Sequence, residues 1–259
     1  LDTIALGKHN PRVADIRKAI RSGTLTEDGF LPVEGPNLLR EALGAGLQIF
    51  GVFLRQGTDL PAELRRVRSF WLDPATFKGI QATEHSQGVV SLVRLRSWDL
   101  ESMVKAVGSP LVVLVGLQDP GNVGTILRVA EAFGAAGCIG IRGTCSIFNS
   151  KVVRASAGSL FRLPHVWEVE WDAVSAMTRL SGIPLVATSP RAGTPIADWD
   201  WSKPTAVLIG NEGQGIPQDY VEACAATLRI PQRAPVESLN SAVASAVILY
   251  EAFRQRGES

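Results

Sequence analysis

Cysteine is scarce in this chain, and what there is stands isolated. Cys138, Cys145 and Cys224 form no CxxC pair, which excludes the spacing of a zinc site and of a disulfide framework; no metal is expected, and a reducing cytoplasm is the simplest setting. The histidines are equally few: His9, His85 and His165 lie far apart and read as surface or structural residues. Charge of one sign is not in excess either. Against 26 Lys and Arg stand 25 Asp and Glu, a net charge of +1, so any nucleic-acid-binding surface must be a local patch. No apolar run approaches the roughly 20 residues that span a bilayer, and no membrane partner is expected. A GxSxG elbow is missing, which removes the usual signature of a serine hydrolase. The opening LDTIALGKHNPRV has neither the basic start nor the apolar core of a secretory signal, and without an initiator Met some N-terminal sequence is expected to precede it.

What is present is an ordinary globular composition, 46% apolar and 20% charged over 259 residues, enough for one large domain or two smaller ones. Residues 1–98 read as a small α/β domain. Asn10-Pro11 opens a helix with Val13, Ile16 and Ile20 on one face and Arg17, Lys18 and Arg21 on the other. FLPVEG, IFGVFL and QGVVSLVRL read as strands, GPNLLREALGAG as a helix ended by Gly44 and Gly46, and LPAELRRVRSFWL as a further helix. Residues 99–109 are expected to be a linker with a short helix.

From residue 110 to 259 the pattern becomes regular β/α alternation. LVVLVGL is a nearly continuous apolar run, as a strand covered on both faces requires. NVGTILRVAEAFGA, CIGIRG, NSKVVRASAGSL, IPLVATSP and TAVLIGNE follow as helix, strand, helix, strand and strand, and a long helix from Ser238 to Arg256 closes the chain. The fold class is α/β with a parallel sheet. On the last helix Leu239, Val243, Val247 and Tyr250 make one apolar face, and Ala242, Ala246, Leu249 and Phe253 another. A helix apolar on two sides is buried on two sides, by the rest of its own chain or by a second copy.

In such a sheet ligands gather at the carboxyl ends of the strands, and three segments leaving strands there carry unusual residues. In LQDPGNVGTILRVAEAFG, Pro120-Gly121 turns the chain, Asn122 is placed to cap the helix, and Arg128 follows six residues on. In IGNEGQGIP, Gly210, Gly213 and Gly215 allow backbone amides to approach a ligand. In RIPQRAPVESLNSAVASAVILYEAFRQR a Pro-containing loop leads into Ser238-Leu239-Asn240 and the last helix. Each segment alone also has a plain reading: Asn122 as a cap only, Arg128 as the ion-pair partner of Glu131 or Glu212. The glycines come late in the chain, whereas a dinucleotide fold carries them after its first strand, and this disfavours a nicotinamide enzyme.

In that order and spacing, QDPGNVGTILRVAEAFG, VLIGNEGQGIP and RIPQRAPVESLNSAVASAVILYEAFRQR resemble the three motifs of the SpoU/TrmH family of RNA ribose 2′-O-methyltransferases, within the SPOUT superfamily. KVVRASAGSLFRLP between them is similar too. NPRVADIRKAIRSG…FLPVEGPNLLREAL resembles, more weakly, the small ribosomal-protein-like RNA-binding domain that precedes many members. The resemblance implies a methyltransferase domain knotted as a trefoil, which binds S-adenosylmethionine in the knot and works as a homodimer. By motif position it assigns Gly210, Ile230 and Leu239 to the cofactor, with Asn211 and Gly213 of the same loop and Thr188 at the end of the IPLVATSP strand. It assigns Asn122, Arg128, Glu212, Ser238 and Asn240 to the reaction.

A guanidinium is not deprotonated in proteins, so Arg128 reads as a cation that holds RNA phosphate and stabilises developing alkoxide, not as a free base. The proton then leaves through the phosphate, through Glu212 or to water. Arg12, Arg17, Lys18 and Arg21 form the expected RNA-contacting cluster. Three departures from the family stand out: Glu27 and Asp28 where basic residues are common, Gln232-Arg233 after Ile230-Pro231, and Ser241 in place of the usual Val after SLN. Ribosomal RNA is favoured over transfer RNA as substrate, on the resemblance of the first domain. The alternative is an RNA-binding protein of the same fold without catalysis.

Overall fold

The structure, a computed structural model, describes residues 4–105 and 108–257. Residues 106 and 107 of the expected linker, and residues 1–3 and 258–259 at the ends of the two expected domains, lie outside the described residues. The chain divides into two compact units. The first takes the chain up to Ser97 together with Ser146–Phe161; the second takes Trp98–Cys145 and the chain from Arg162 on.

The first unit is a five-stranded mixed sheet. Its strands are β1 (Ile4–Ala5), β2 (Leu31–Glu34), β3 (Gln48–Arg55), β4 (Ser69–Leu72) and β5 (Val89–Arg94), in spatial order β1-β4-β3-β5-β2. β1, β4 and β3 run parallel; β5 is antiparallel to both β3 and β2. Helix α1 (Pro11–Ser22) begins where the Asn10 side chain accepts the Arg12 amide and ends at Gly23, whose φ of 61° only glycine adopts freely. It buries Val13, Ile16 and Ala19. α2 (Pro36–Gly44) and α3 (Pro74–Lys78, capped by Asp73) complete the first hundred residues.

One expectation fails here. LPAELRRVRSFWL is not a helix but a single 3-10 turn, Ala62–Leu64, followed by β4. Leu60 and Leu64 have the helical spacing and both are buried. Ser69–Leu72, however, alternates in burial and pairs with β3, so tertiary pairing overrides the local period.

The second unit is a seven-stranded, wholly parallel sheet. Its strands are β6 (Leu111–Val115), β7 (Gly137–Ile141), β8 (His165–Val169), β9 (Leu185–Thr188), β10 (Thr194–Pro195), β11 (Ala206–Gly210) and β12 (Ala226–Arg229), in the order β10-β12-β9-β11-β6-β7-β8. Central β6 is buried along its whole length, as its continuous apolar run requires. The helices are α4 (Leu100–Lys105), α5 (Pro120–Ala132), α7 (Trp171–Leu180), α8 (Gln218–Glu222) and α9 (Ser241–Gln255). The short α6 (Ser150–Ala155) belongs to the first unit.

The short helix expected within residues 99–109 is α4, and its Met103 and Val104 are buried in the core beside Val113, Ile139 and Leu208. The helix expected over NSKVVRASAGSL stops at Ala155, where Ala157 and Gly158 take positive φ angles. β8, α7 and β12 had no counterpart in the sequence reading. The last helix starts three residues later than expected, because Asn240 caps it by accepting the Ala242 and Val243 amides.

Candidate functional site

The loops that follow β6, β9, β11 and β12 leave the same edge of the parallel sheet, the carboxyl ends of its strands. The loop after β11 is built by glycine and asparagine. A Cβ on Gly210 would fall 2.6 Å from the Gly215 carbonyl carbon, so only glycine lets the chain double back against itself there. Gly215 has a φ of 71°, and Asn211 and Gly215 exchange backbone hydrogen bonds of 2.9 and 3.2 Å. The Asn211 Oδ1 accepts the Gly213 and Gln214 amides at 2.8 and 3.1 Å, while its Nδ2 donates to the Gly116 carbonyl, 2.8 Å away at the end of β6. One side chain thus shapes its own loop and ties it to a second.

That loop, Thr188 to Arg191 after β9, and Ile230 to Ser241 after β12 surround a cavity of about 390 Å³. Its lining includes all six residues assigned to a cofactor: Thr188, Gly210, Asn211, Gly213, Ile230 and Leu239. Ile216, Leu228 and Ile248 add apolar wall. The Thr188 hydroxyl donates to the Leu208 carbonyl at 2.8 Å, so it closes the strand end. Mixed apolar walls and backbone polar groups are what a small-molecule site requires.

At the rim lies a side-chain network. The Glu212 Oε1 accepts the Asn122 Nδ2 at 2.6 Å and the Ser241 hydroxyl at 2.7 Å, and the Asn240 Nδ2 donates to the Asn122 Oδ1 at 3.0 Å. Four residues from α5, the β11 loop and the start of α9 therefore act as one unit, three of them among those assigned to the reaction. Asn122 is not the helix cap. That role falls to Asp119, whose carboxylate accepts the Asn122 amide at 2.8 Å, since α5 begins two residues earlier at Pro120. The Asn122 side chain is thereby released for the network.

Ser238 lines the cavity and is exposed. Arg128 is exposed on α5, and neither of its plain partners holds it: Glu131 pairs with Arg162, and Glu212 with Asn122 and Ser241. Among the described residues Arg128 makes no ion pair. Sequence reasoning missed Ser241 as part of the site and treated it only as a tolerated departure; its place one residue after the Asn240 cap is the signal that could have found it. Cys145 sits near Asp119, and burial, with the Asp119 charge second, raises its thiol pKa, so it is no nucleophile here.

The expected RNA cluster of the first unit is only partly available. Arg12 pairs with Asp28 at 3.1 Å and Lys18 with Glu27 at 3.4 Å, so the two acidic departures occupy two of the four cations. Arg17 and Arg21 make no ion pair among the described residues.

On α9 the two apolar faces differ. Ala242 and Leu249 are buried, and Phe253 packs on Phe133 of the α5 end with ring centroids 5.9 Å apart. On the other face Val243, Val247 and Tyr250 remain 50%, 37% and 54% exposed. No helix among the described residues is long and apolar enough to cross a membrane.

A parallel α/β sheet whose glycine-turned loops enclose a cavity at its carboxyl edge, with a carboxylate–amide network on the rim, defines an enzyme that binds a small cofactor beside a second substrate. The chain belongs to the SpoU rRNA methylase family, whose model matches residues 109–250. It is 33% identical over 256 residues to an uncharacterised tRNA/rRNA methyltransferase of Synechocystis, covering 95% of this chain and 92% of that one. It is 28% identical over 242 residues to the 23S rRNA (guanosine(2553)-2′-O)-methyltransferase RlmP of Bacillus subtilis, covering 93% and 95%. Among solved structures, the SpoU methyltransferase AviRb of Streptomyces viridochromogenes in complex with the cofactor AdoMet matches with a TM-score of 0.83 at 30% identity, over 97% of this chain and 100% of that one.

Proposed function

We propose that this protein transfers a methyl group from S-adenosylmethionine to a ribose 2′-hydroxyl of ribosomal RNA, in the cytoplasm. The observation that carries the reading is the joining of the Asn122–Glu212–Asn240 network to the rim of the cavity that Gly210, Ile230 and Leu239 line. The residues fit the cofactor. Ile216, Ile230 and Leu239 offer apolar surface to a purine and an alkyl chain, and the Gly210–Gly215 backbone offers polar groups at close range. Once bound, the cofactor supplies an electrophilic methyl group on a sulfonium.

The chain's own residues do the rest. Asn122, anchored at both ends of its amide by Glu212 and Asn240, orients the ribose hydroxyl. The Glu212 Oε1 is committed to two donors, while its Oε2 has no protein donor among the described residues, and this second oxygen receives the hydroxyl proton. Arg128, a permanent cation without an ion-pair partner among the described residues, holds the neighbouring phosphate and stabilises the developing alkoxide. Ser238 lies at the wall of the same cavity. The alternative, an RNA-binding protein without catalysis, has no use for an amide–carboxylate network of this kind at the cavity rim.

Two features of assembly go with this reading. The chain runs from β11, between β9 and β6, outward to β12 and back to α9, which packs beside α5 and β11; such a return fits a threaded, trefoil-knotted C-terminal segment. The exposed Val243, Val247 and Tyr250 face fits a homodimer through α9. The first unit then serves as the RNA-gripping domain. The test is incubation of the purified chain with radiolabelled S-adenosylmethionine and unmodified ribosomal or transfer RNA. Label in ribosomal RNA at a ribose that resists alkaline cleavage is the expected result. Cofactor binding without label in any RNA or ribosomal particle would favour the non-catalytic alternative.

A further inference from the structure

Three phenylalanines of the first unit form a continuous row. Phe30, just before β2, meets Phe50 of β3 edge to face with centroids 5.6 Å apart, and Phe50 lies 6.2 Å from Phe70 of β4 with the planes 9° from parallel. The sequence builds this row through one glycine. The pairing of β3 with β5 slips between Ile49 and Gly51, and a Cβ on Gly51 would sit 2.7 Å from the Phe70 ring. With no side chain there, the Phe70 ring lies across β3 and stacks beside Phe50.

Each ring carries an arginine from a different element. The Arg94 guanidinium carbon stands 4.1 Å from the Phe30 centroid, that of Arg12 4.0 Å from Phe50, and that of Arg68 4.9 Å from Phe70. Arg68 and Arg94 are exposed, and Arg12 is half-buried. Among the described residues, the one carboxylate paired with any of the three is Asp28, on Arg12; Arg94 donates instead to the Asp28 backbone carbonyl at 2.8 Å. Two guanidinium charges therefore stand uncompensated among the described residues.

We propose that this Arg94–Arg12–Arg68 row binds the sugar–phosphate backbone of the RNA substrate. The inference rests on the RNA-methylating function given above and names the surface that grips the substrate. A guanidinium held over an aromatic ring has already lost much of its rotamer freedom, so less entropy is lost when its remaining N–H groups bind phosphate. Among the residues expected from the sequence, only Arg12 belongs to the row. Arg68 lies in the segment expected as a helix but directly precedes strand β4, and Arg94 ends β5, while Lys18 is engaged by Glu27.

The test measures binding of the full chain to transcribed 23S ribosomal RNA across a salt series. For Arg68→Gln/Arg94→Gln the dissociation constant near 0.1 M salt should rise by roughly tenfold, and the slope of log K against log salt should fall by about 1.4 to 1.8, two phosphate contacts' worth. Arg68→Lys/Arg94→Lys keeps the charges and should hold the slope near wild type, which guards against a folding artefact. Asp28→Asn frees Arg12 and should tighten binding several-fold. An unchanged dissociation constant and slope in the Gln pair overturns the proposal, as it would if the row docks an acidic protein instead; weaker binding with an unchanged slope overturns it too. S-adenosylmethionine affinity, read by calorimetry, should not move in any variant. If the wild-type chain binds RNA through this row yet methylates none, the row stands and the assigned function falls.

Discussion

Ser241 donates its hydroxyl to Glu212 across 2.7 Å, and it does so onto the oxygen that the Asn122 amide already occupies at 2.6 Å. One carboxylate oxygen is thus held by two donors, while the other has no donor among the described residues. Ser241 is itself buried, so water does not readily replace it. As a positioning residue it acts through Glu212. Ser241→Ala should lower kcat about fivefold, equivalent to ~1 kcal/mol for one charge-assisted bond at a partly exposed carboxylate. Cofactor affinity by calorimetry should be unchanged, and Ser241→Thr, which restores the hydroxyl, should recover most of the rate. A fall in cofactor affinity without a fall in kcat would assign Ser241 to the cavity wall alone.

Asn122 and Arg128 should separate chemistry from cofactor binding. Neither lines the cavity, so Asn122→Ala and Arg128→Ala should each abolish turnover while S-adenosylmethionine binding survives. Arg128→Lys tests the role given to the guanidinium. A point charge retains part of the phosphate attraction but not the planar two-pronged contact, and partial activity is expected. Near-normal turnover in either alanine variant would remove that residue from the reaction.

Gly210→Ala addresses the cavity. The added methyl would stand 2.6 Å from the Gly215 carbonyl carbon and 2.7 Å from an Ile216 side-chain carbon. Backbone cannot give way as a flexible side chain can, so the β11 loop must shift. Cofactor binding should be lost, with a stability cost of about 1–3 kcal/mol for overpacking. Gly213→Ala, whose added Cβ would lie 3.5 Å from the Asn211 Oδ1, should be tolerated far better. Equal cofactor affinity in the two variants would contradict the reading that Gly210 is needed for backbone closure.

Much of this was legible in advance, and the reasons differ by element. β6 and α9 announce themselves because their patterns are long and their burial strong. The three loop segments were legible as a set, by order and spacing. The local pattern alone also offers Asn122 as a cap, because Asp119, three residues earlier, has the same chemistry, and the observed start of α5 at Pro120 gives that role to Asp119. β4 was lost because Leu60 and Leu64 mimic a helical face. β8 and β12 are half-exposed strands near the sheet edge, where alternation is weak. The pairing of Lys18 with Glu27 and Arg12 with Asp28 was beyond sequence reasoning, since it depends on how the turn before β2 folds back on α1.

The exposed face of α9 leads to a prediction about assembly. Val243, Val247 and Tyr250 recur at four- and three-residue spacing, so they share one side of the helix, and all three are substantially exposed in a single chain. Val243→Asp/Val247→Asp would place two charges in that face. Light scattering after size exclusion should give twice the chain mass for wild type and a single chain mass for the variant. Far-ultraviolet circular dichroism should be unchanged, because the opposite face, with Ile248, Leu249 and Ala252, remains buried. A wild-type monomer at micromolar concentration would remove the dimer from the reading.

His165 gives the expected pH dependence of stability. It opens β8 beside Cys138, its ring nitrogen lies 2.9 Å from the Leu163 carbonyl, and burial pushes its pKa below the usual imidazole value. The folded chain therefore favours the neutral ring, and the unfolded chain binds the proton first as pH falls. The stabilisation is complete above the unfolded pKa of about 6.5 and is lost as pH drops below it, by at most ~1.4 kcal/mol per pH unit. Denaturant titrations at pH 7.5 and pH 5.5 should show this loss, and His165→Gln should reduce it. An unaltered slope in His165→Gln would transfer the effect to the carboxylates, whose titration begins at lower pH.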